Sequence, residues 1–250
     1  MACKYHVVTY ATHNKGMLAG LVNNKFAVPV SVLGWGSKWH GYTDKIKGVL
    51  NFCKKVPATD IVIFIDGFDT IMHPDIAVSR FLRFDTPHLV VASVEGTSKW
   101  VPETVYRRMF GPNFSRCKIN SGMYMGYAGR LQDFLERVLH QSTTDDQRAF
   151  NACCRLVSRD INSTIFLNVV RLMRKCPTVD KNEKAVFVSF PASGGCVSVY
   201  ERCSYFVQYT MHRLPGWFSL VEWCAILFVI YVCIACVIVR LRSRNTGIHR

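Results

Sequence analysis

The sequence predicts an α/β domain followed by one membrane-spanning helix, and three observations support that prediction. Up to about residue 193, short apolar runs alternate with segments of helical spacing, a pattern typical of strands joined by crossover helices. The run at residues 60–65 is apolar after its first residue, which indicates a strand covered on both faces. Residues 217–239 are almost wholly apolar and long enough to cross a bilayer.

Each element of the α/β part follows from local periodicity and from the polar residues that bound it. Continuous apolar runs predict strands at residues 6–11, 29–33, 60–65, 88–92, 123–127 and 186–190. Helical spacing of apolar residues predicts helices at residues 17–24, 44–56, 76–84, 131–139 and 145–156. The chain is thereby divided into a domain at 1–193, a connector at 194–216, a transmembrane helix at 217–239 and a basic tail at 240–250.

The flanks of the apolar segment fit a membrane helix, but they leave its orientation open. Pro215 and Gly216 break the chain before it, and the arginines from Arg240 onward follow it. Those arginines favour a cytosolic tail and a lumenal domain. The first twelve residues resemble a strand and not a signal peptide, which favours a cytosolic domain. The alternative for the segment itself is a buried core helix.

Composition narrows the classes of partner. The formal net charge is +14, from 31 Lys and Arg against 17 Asp and Glu. The basic residues are scattered and no basic-aromatic strand pattern appears, so we expect no nucleic-acid partner; a basic protein that binds nucleic acid or anionic lipid remains the rival class. Eight of the eleven cysteines lie outside the apolar segment, where they could form disulfides or remain buried thiols. Two N-glycosylation sequons begin at Asn113 and Asn162.

The residues with the clearest chemical meaning are Asp66 and Asp69, directly after the apolar run at 60–65. Ligands of open α/β sheets bind beyond the carboxyl ends of the strands. Two carboxylates across a tight turn there could bind Mn²⁺ or Mg²⁺ and, through it, a diphosphate. The alternative is structural, because aspartates also close turns and cap helices.

Several further motifs, in the same order and with the same spacing, resemble the glycosyltransferase domain of procollagen lysyl hydroxylases from about Val7 to Phe190. The matching stretches are Val7–Thr12 for its first strand, Leu33–Trp39 for its Leu-Gly-x-Gly-x-x-Trp loop, Phe64–Asp69 for its metal motif, Ala92–Glu95 with Trp100 and Pro102 for its Ser-Ala-Glu and Trp-Pro elements, Asn120–Gly122 with Gly126–Tyr127 for its Asn-Ser-Gly segment, Asp145–Gln147 for its acidic run, and Asp160 with Ile165, Phe166 and Asn168. The resemblance implies a mixed, GT-A-like nucleotide-sugar transferase sheet with flanking helices.

The same resemblance implies a set of site residues. Asp66 and Asp69 would hold Mn²⁺ or Mg²⁺. On the side of the UDP-sugar donor, Thr12 would hydrogen-bond the nucleotide, Trp39 and Phe68 would flank the uracil, and Lys45 would meet phosphate. On the side of the sugar and acceptor, the expected residues are Glu95, Trp100, Asn120, Asp145 and Asp146. Taken alone, Asp145 and Asp146 could simply start a helix, Asn120 to Gly122 could be a turn, and the two tryptophans could be core or surface residues.

The implied activity is transfer of glucose or galactose, with retention at the anomeric carbon, from a UDP-sugar to a hydroxyl of a protein or lipid; a hydroxylysine-type acceptor is the family precedent. One position departs from the family pattern. Ser189 stands where the family supplies a metal-binding histidine, and either water or His212 could substitute for it. This departure favours the alternative that the chain is a catalytically degenerate fold serving as a membrane-anchored binding or scaffold protein.

Overall fold

A computed structural model describes residues 4–26, 28–73, 77–83, 90–95, 103–143, 145–169 and 185–190. The strands are β1 Tyr5–Tyr10, β2 Val30–Leu33, β3 Ile61–Ile65, β4 Thr70–Met72, β5 Val90–Val94, β6 Ile119–Tyr127, β7 Ser158–Arg159, β8 Phe166–Asn168 and β9 Phe187–Ser189. The helices are α1 Leu18–Val22, α2 Thr43–Cys53, α3 Ala77–Leu82, α4 Glu103–Phe110, α5 Phe114–Cys117, α6 Ala128–Leu139 and α7 Asp146–Ala152, with a 3₁₀ turn at Cys154–Leu156.

Six strands form a mixed sheet in the order β2-β1-β3-β6-β5-β7. Strands β1, β2 and β3 are mutually parallel, and β5 is parallel to β7. Strand β6 is antiparallel to both of its neighbours, β3 and β5. The carboxyl ends of β1, β3 and β5 therefore lie at the same edge as the start of β6, where residues from four strands can meet.

A second sheet of three strands, in the order β4-β9-β8, begins immediately after the acidic motif. Strand β9 is antiparallel to β4 and parallel to β8. The chain passes from β3 in the large sheet to β4 in the small one through residues 66–69. The two aspartates consequently stand at the transition between the two sheets.

The large sheet is covered on both faces by apolar clusters, as the continuous apolar run of β3 predicts. All five residues of β3 are buried. One face packs against the helices α2, α6 and α7, and the other against α3 and the strands β8 and β9. Burial on both faces makes β3 the most constrained strand of the sheet and gives a rigid base for the motif that follows it.

The mixed α/β sheet with flanking helices is confirmed, and several local predictions need correction. Helix α7 ends at Ala152 instead of residue 156, because the chain tightens into the 3₁₀ turn and Val157 is extended. The strand expected at 123–127 begins at Ile119, so the alternative of a turn at Asn120–Gly122 is wrong. The short elements β4, β7, β8, α4 and α5 were not predicted.

The predicted membrane helix at 217–239, the connector before it and the tail after it lie outside the described residues and stay predictions. Within the described ranges, every helix is too short or too polar to span a bilayer.

Tyr124 offers a test of the packing around β3. Its ring lies 4.9 Å from that of Phe64 between centroids, it is 1 % exposed, and among the described residues its hydroxyl has no hydrogen-bond partner. Burial raises the pKa of Tyr124 well above its usual value. We predict that Tyr124→Phe increases the free energy of unfolding by about 1–2 kcal/mol, because it removes an unsatisfied buried group. Urea unfolding measures the change, with the half-buried Tyr5→Phe as control; a loss of stability would show that the hydroxyl is paired.

Asp60, at the entry to β3, predicts a pH dependence. His6 Nε2 lies 2.9 Å from Asp60 Oδ2, and this hydrogen bond is the main reason that the pKa of Asp60 is lowered. A lowered pKa stabilises the fold above the unfolded value of about 4, and the stabilisation is lost as pH falls through the folded value. We therefore expect Asp60→Asn to lower the melting temperature at pH 7 and the difference from wild type to shrink toward pH 2. Asp133→Asn, at an exposed carboxylate, is the control; a constant difference across pH would contradict the assignment.

Candidate active site

The candidate site is the edge of the large sheet where four strands bring polar residues together. Thr12 follows β1, Asp66 follows β3, Glu95 follows β5, and Asn120 is the second residue of β6. The parallel and antiparallel directions of these strands place all four residues at one edge. This is where an open α/β sheet binds its ligands.

The turn at residues 66–69 is stabilised by hydrogen bonds of Asp66 and by the close packing of Gly67. The backbone N–H of Asp66 donates to the carbonyl of Gly122 at 2.8 Å, which extends the pairing of β3 with β6. Oδ1 of Asp66 accepts a long bond of 3.4 Å from the N–H of Phe68. A Cβ on Gly67 would lie 2.6 Å from Thr9 Oγ1, so only glycine allows this approach to β1.

Asp69 is bound to the second sheet through Ser189. The hydroxyl of Ser189 donates to Oδ1 of Asp69 at 3.0 Å, and the N–H of Phe190 donates to the carbonyl of Asp69 at 2.9 Å. Ser189 is the register partner of Thr70 in β4 and of Asn168 in β8. We call Thr70, Ser189 and Asn168 the polar row, because these three buried residues lie side by side across the small sheet.

The oxygens of this region suit a hard divalent cation. Within the described residues, Thr70 Oγ1 and Asn168 Oδ1 are buried without a hydrogen-bond partner, on either side of the serine that contacts Asp69. The described residues bring together no group of three His, Cys, Asp or Glu side chains that could enclose an ion alone. Mg²⁺ and similar ions are commonly held by one or two carboxylates, with water and substrate phosphate completing the shell. Asp69, with the Ser189 hydroxyl beside it, is one candidate carboxylate for such a site, and Asp66, three residues earlier in the same turn, is the other.

A bulge in β6 explains how consecutive residues of one strand reach different parts of the site. Ala92 pairs with Tyr124 and Val94 pairs with Ile119, so two steps along β5 correspond to five along β6. The additional residues leave the ladder, and a bulge of this kind redirects the side chains it carries. Asn120 contacts Glu95, directly after β5, and the neighbouring Ser121 contacts α7.

Asn120 and Glu95 form one polar pair at the edge. The Asn120 amide donates to Glu95 Oε2 at 2.7 Å, and its Oδ1 accepts from the N–H of Gly122 at 2.7 Å. A Cβ on Gly122 would meet that same Oδ1 at 2.9 Å and Asp66 Cβ at 3.6 Å. Glycine at position 122 of β6 therefore leaves space for both the Asn120 amide and the Asp66 side chain.

Lys45, which the resemblance assigns to phosphate, forms a buried ion pair with Asp146, so its role at phosphate stays a prediction. Lys45 Nζ lies 2.5 Å from Asp146 Oδ2, and the two side chains are 11 % and 2 % exposed. Ser121 Oγ donates to the same oxygen at 2.6 Å. The lysine thus joins α2 to α7, and its charge is shared with the carboxylate expected on the sugar side.

Asp145 has the structural role that its position at a helix start suggested. It is the N-cap of α7, and its Oδ1 accepts from the N–H of Arg148 at 3.0 Å. A cap of this kind stabilises a helix start and orients the residues that follow it. Among those residues are Asp146 and Gln147, whose side chains both reach Ser121.

The expected nucleotide side contains two separate aromatic contacts. The Phe68 ring lies 5.7 Å from the ring of His13, which in turn contacts the hydroxyl of Thr12 at 3.0 Å. Trp39 is 44 % exposed and lies 5.9 Å from the rings of both Tyr10 and Tyr42. Phe68 and Thr12 thus both contact His13, whereas Trp39 lies beside tyrosines of β1 and of the start of α2.

Two of the named positions fall outside the described residues, and others were missed. Trp100 and His212 are not among the described residues, so their expected roles stay predictions. His13, Ser121 and Gln147 were not predicted from the sequence as site residues. Ser121 and Gln147 each adjoin a chosen residue, but the bulge that brings them together has no signature in the pattern of apolar residues.

Disruption of the Lys45–Asp146 pair should lower the free energy of unfolding, and a second substitution should restore most of it. Lys45→Met leaves a buried carboxylate without its cation, and we expect the free energy of unfolding to fall by about 3–5 kcal/mol. The double variant Lys45→Met, Asp146→Asn removes that charge and should recover most of the loss in urea unfolding. Lys54→Met, at a half-exposed pair with Glu136, is the control and should cost less than about 1 kcal/mol. Equal losses in the single and double variants would contradict a buried ion pair.

Comparisons with known proteins agree with the resemblance given by the motifs. The family model described as the PLOD GT domain matches residues 2–186. A multifunctional procollagen lysine hydroxylase and glycosyltransferase from Caenorhabditis elegans is 25 % identical over 155 residues. The match covers 56 % of this chain and 21 % of the relative, so the chain corresponds to about a fifth of that protein.

Two solved glycosyltransferases show more distant similarity. One is involved in the glycosylation of the major capsid of PBCV-1, with a TM-score of 0.48 and 12 % identity over 80 % of this chain and 97 % of that one. The other is the galactosyltransferase LgtC in complex with donor and acceptor sugar analogs, with a TM-score of 0.40 and 10 % identity over 86 % and 88 %. Both are too distant to bear on mechanism.

Proposed function

We propose a reaction for this chain, which belongs to the family of the PLOD GT domain. In this reaction the chain transfers a hexose from a UDP-sugar to a hydroxyl acceptor with the help of a divalent cation. The observation that carries this proposal is the position of Asp66 and Asp69 at the carboxyl end of a fully buried strand. The hydrogen bond from Ser189 to Asp69 and the unpartnered oxygens of the polar row support cation binding there.

The proposed reaction exchanges one bond at the anomeric carbon for another. The bond from this carbon to the β-phosphate oxygen breaks, a bond to the acceptor oxygen forms on the same face, and the acceptor proton passes to the departing UDP. A divalent ion held by Asp66 and Asp69 would neutralise charge on the diphosphate. The residues of the chain bind the donor, orient it and limit access of water.

The remaining residues divide between the two ends of the donor. Thr12 and Phe68 lie together on the side proposed for the nucleotide, and Trp39 offers an exposed ring for stacking. Glu95 and Asn120 are proposed to read sugar hydroxyls, because a carboxylate and an amide can accept and donate hydrogen bonds to them.

Lys45 and Asp146 are proposed to mark the boundary between phosphate and sugar. Their ion pair is the most buried charged contact among the site residues, so it fixes the position of the lysine nitrogen without help from a ligand. When a diphosphate binds, the lysine ammonium can interact with the phosphate as well as with Asp146, while Ser121 continues to donate a hydrogen bond to Asp146. Such preorganised charge is the usual source of stabilisation for a leaving diphosphate.

The donor sugar, glucose or galactose, and the retaining stereochemistry belong to the proposal, as does the acceptor. We further propose that residues 217–239 anchor the domain in a membrane, so that the acceptor is a protein or lipid near that surface. A hydroxylysine-type acceptor remains one member of this class.

A second candidate function rests on Ser189. A hydroxyl is a weaker metal ligand than an imidazole. If this lowers cation affinity enough, the domain would bind a nucleotide or a protein without transferring sugar, as a membrane-anchored scaffold.

Calorimetric titration with UDP tests the proposed site. We expect Mn²⁺ to raise the affinity of the wild-type chain for UDP by about tenfold or more, equivalent to about 1.4 kcal/mol, because the ion bridges protein and diphosphate. Asp69→Asn should retain the metal-free affinity and lose the increase. Asp133→Asn removes one exposed carboxylate in the middle of α6. It changes the charge by the same amount as Asp69→Asn, so it serves as the control and should behave as wild type.

Hydrolysis of UDP-glucose and UDP-galactose separates the two candidate functions. A rate that depends on Mn²⁺ and falls to background in Asp69→Asn supports the transferase. Metal-dependent UDP binding with no hydrolysis above background supports the scaffold. A titration in which Mn²⁺ changes nothing in any variant would overturn the cation site itself.

A further inference from the structure

We infer that Asn113 and Asn162 are N-glycan acceptor sites and that this domain matures in an oxidising, glycosylating compartment. The observation behind the inference is that one part of the domain, residues 111–165, contains both sequons and a disulfide. This inference is independent of the transferase activity proposed above.

The disulfide joins Cys117 at the end of α5 to Cys154 in the 3₁₀ turn, across 37 residues of sequence. The Cα atoms of this pair are 5.9 Å apart, a usual separation for a disulfide. Its formation removes two electrons and two protons from the thiols, which a disulfide or other thiol oxidant of the compartment must accept. Disulfides of this structural kind persist in secretory compartments and are rare in the cytosol.

Asn113 lies at the start of the same short helix, α5. It is exposed, and it makes no capping hydrogen bond with its side chain in the described structure, although asparagine at this position commonly does. The helix start is instead held by the backbone carbonyl of Asn113, which accepts from the N–H groups of Arg116 and Cys117. A glycan on the amide nitrogen would therefore break no capping hydrogen bond among the described residues.

Asn162 stands at the tip of a loop that another residue holds in place. The buried carboxylate of Asp160 accepts hydrogen bonds from the backbone N–H groups of Thr164, Ile165 and Phe166, at 2.7–2.9 Å. Asn162 is exposed, and the next residue, Ser163, has a positive φ of 51°, which turns the chain at the surface. The loop keeps its shape without the Asn162 side chain, so this position also has room for a glycan.

The glycosylation itself is a balanced group transfer. The sugar of a lipid-linked oligosaccharide exchanges its bond to the lipid diphosphate for a bond to the asparagine amide nitrogen, which loses a proton. The hydroxyl at the third position of each sequon has to be accessible at that moment. Ser115 Oγ is buried in the folded domain, so transfer to Asn113 has to precede the folding of α5.

The remaining described cysteines are compatible with an oxidising compartment. Cys53 and Cys153 are free and buried. Burial raises the pKa of Cys53 to about 12 and that of Cys153 in the same direction. A thiol held protonated in the interior is a poor nucleophile for disulfide exchange, so these two thiols can survive beside an oxidised pair.

Expression of the full chain in cultured animal cells, with peptide N-glycosidase F treatment, tests the glycan sites. We expect the wild-type band to lose the mass of two glycans, Asn113→Gln and Asn162→Gln to lose one each, and the double variant to remain unchanged. Matched variants of one sequon sharpen the test. Thr164→Ser keeps both the sequon and a hydroxyl for Asp160, and should retain its glycan, whereas Thr164→Ala should lose it.

Thiol labelling of the same cells provides a readout that does not depend on glycans. With membranes solubilised under denaturing conditions, the number of maleimide-polymer labels gained on reduction should be larger by two for the wild-type chain than for the double variant Cys117→Ser, Cys154→Ser. Cys53→Ser should lose one label in both conditions. A chain without glycans and with Cys117 and Cys154 labelled before reduction would overturn the inference. Glycans without the disulfide, or the disulfide without glycans, would overturn the part that is missing.

Discussion

The candidate site depends on one strand pairing, that of the antiparallel β6 between β3 and β5. The last hydrogen bond of this pairing runs from Asp66 N–H to the carbonyl of Gly122, so the first aspartate is positioned by the strand beside it. On its other side β6 bulges against β5 and directs Asn120 to Glu95 and Ser121 to Asp146. If β6 ran parallel to its neighbours, its last residues would lie at this edge, and Asn120, Ser121 and Gly122 would lie at the opposite one.

Both ends of the site are thereby held by contacts that exist without a ligand. Asp69 is held by Ser189 of the small sheet, and Asp146 is held by Lys45 of α2. The two charged contacts involve opposite sides of the large sheet edge and different elements. Preorganisation of this kind reduces the entropy cost of binding, and it is the condition under which fixed charges stabilise a developing charge most effectively.

The sequence predicted those parts of the fold that follow from local rules. The buried strand β3, the helices α2 and α6 and the position of Asp66 after a strand all come from apolar periodicity and turn residues. The motif resemblance identified the family. The sequence predicted the strand at residues 186–190 that contains β9, but it did not predict the small sheet, because β4 and β8 have three residues each and no period can be read from so few. The Lys45–Asp146 pair and the bulge depend on tertiary contacts between residues about a hundred positions apart or on strand register, which a local pattern does not contain.

The turn from β3 to β4 has a consequence for the mechanical behaviour of the domain. Asp66 directly follows a strand of the six-stranded sheet, and Asp69 directly precedes a strand of the three-stranded one. Any ligand that bridges the two carboxylates is therefore also a cross-link between two separately hydrogen-bonded layers. If one sheet slid against the other, the distance between the two carboxylates would change. Binding of a bridging ligand and resistance of the two sheets to sliding are therefore thermodynamically linked.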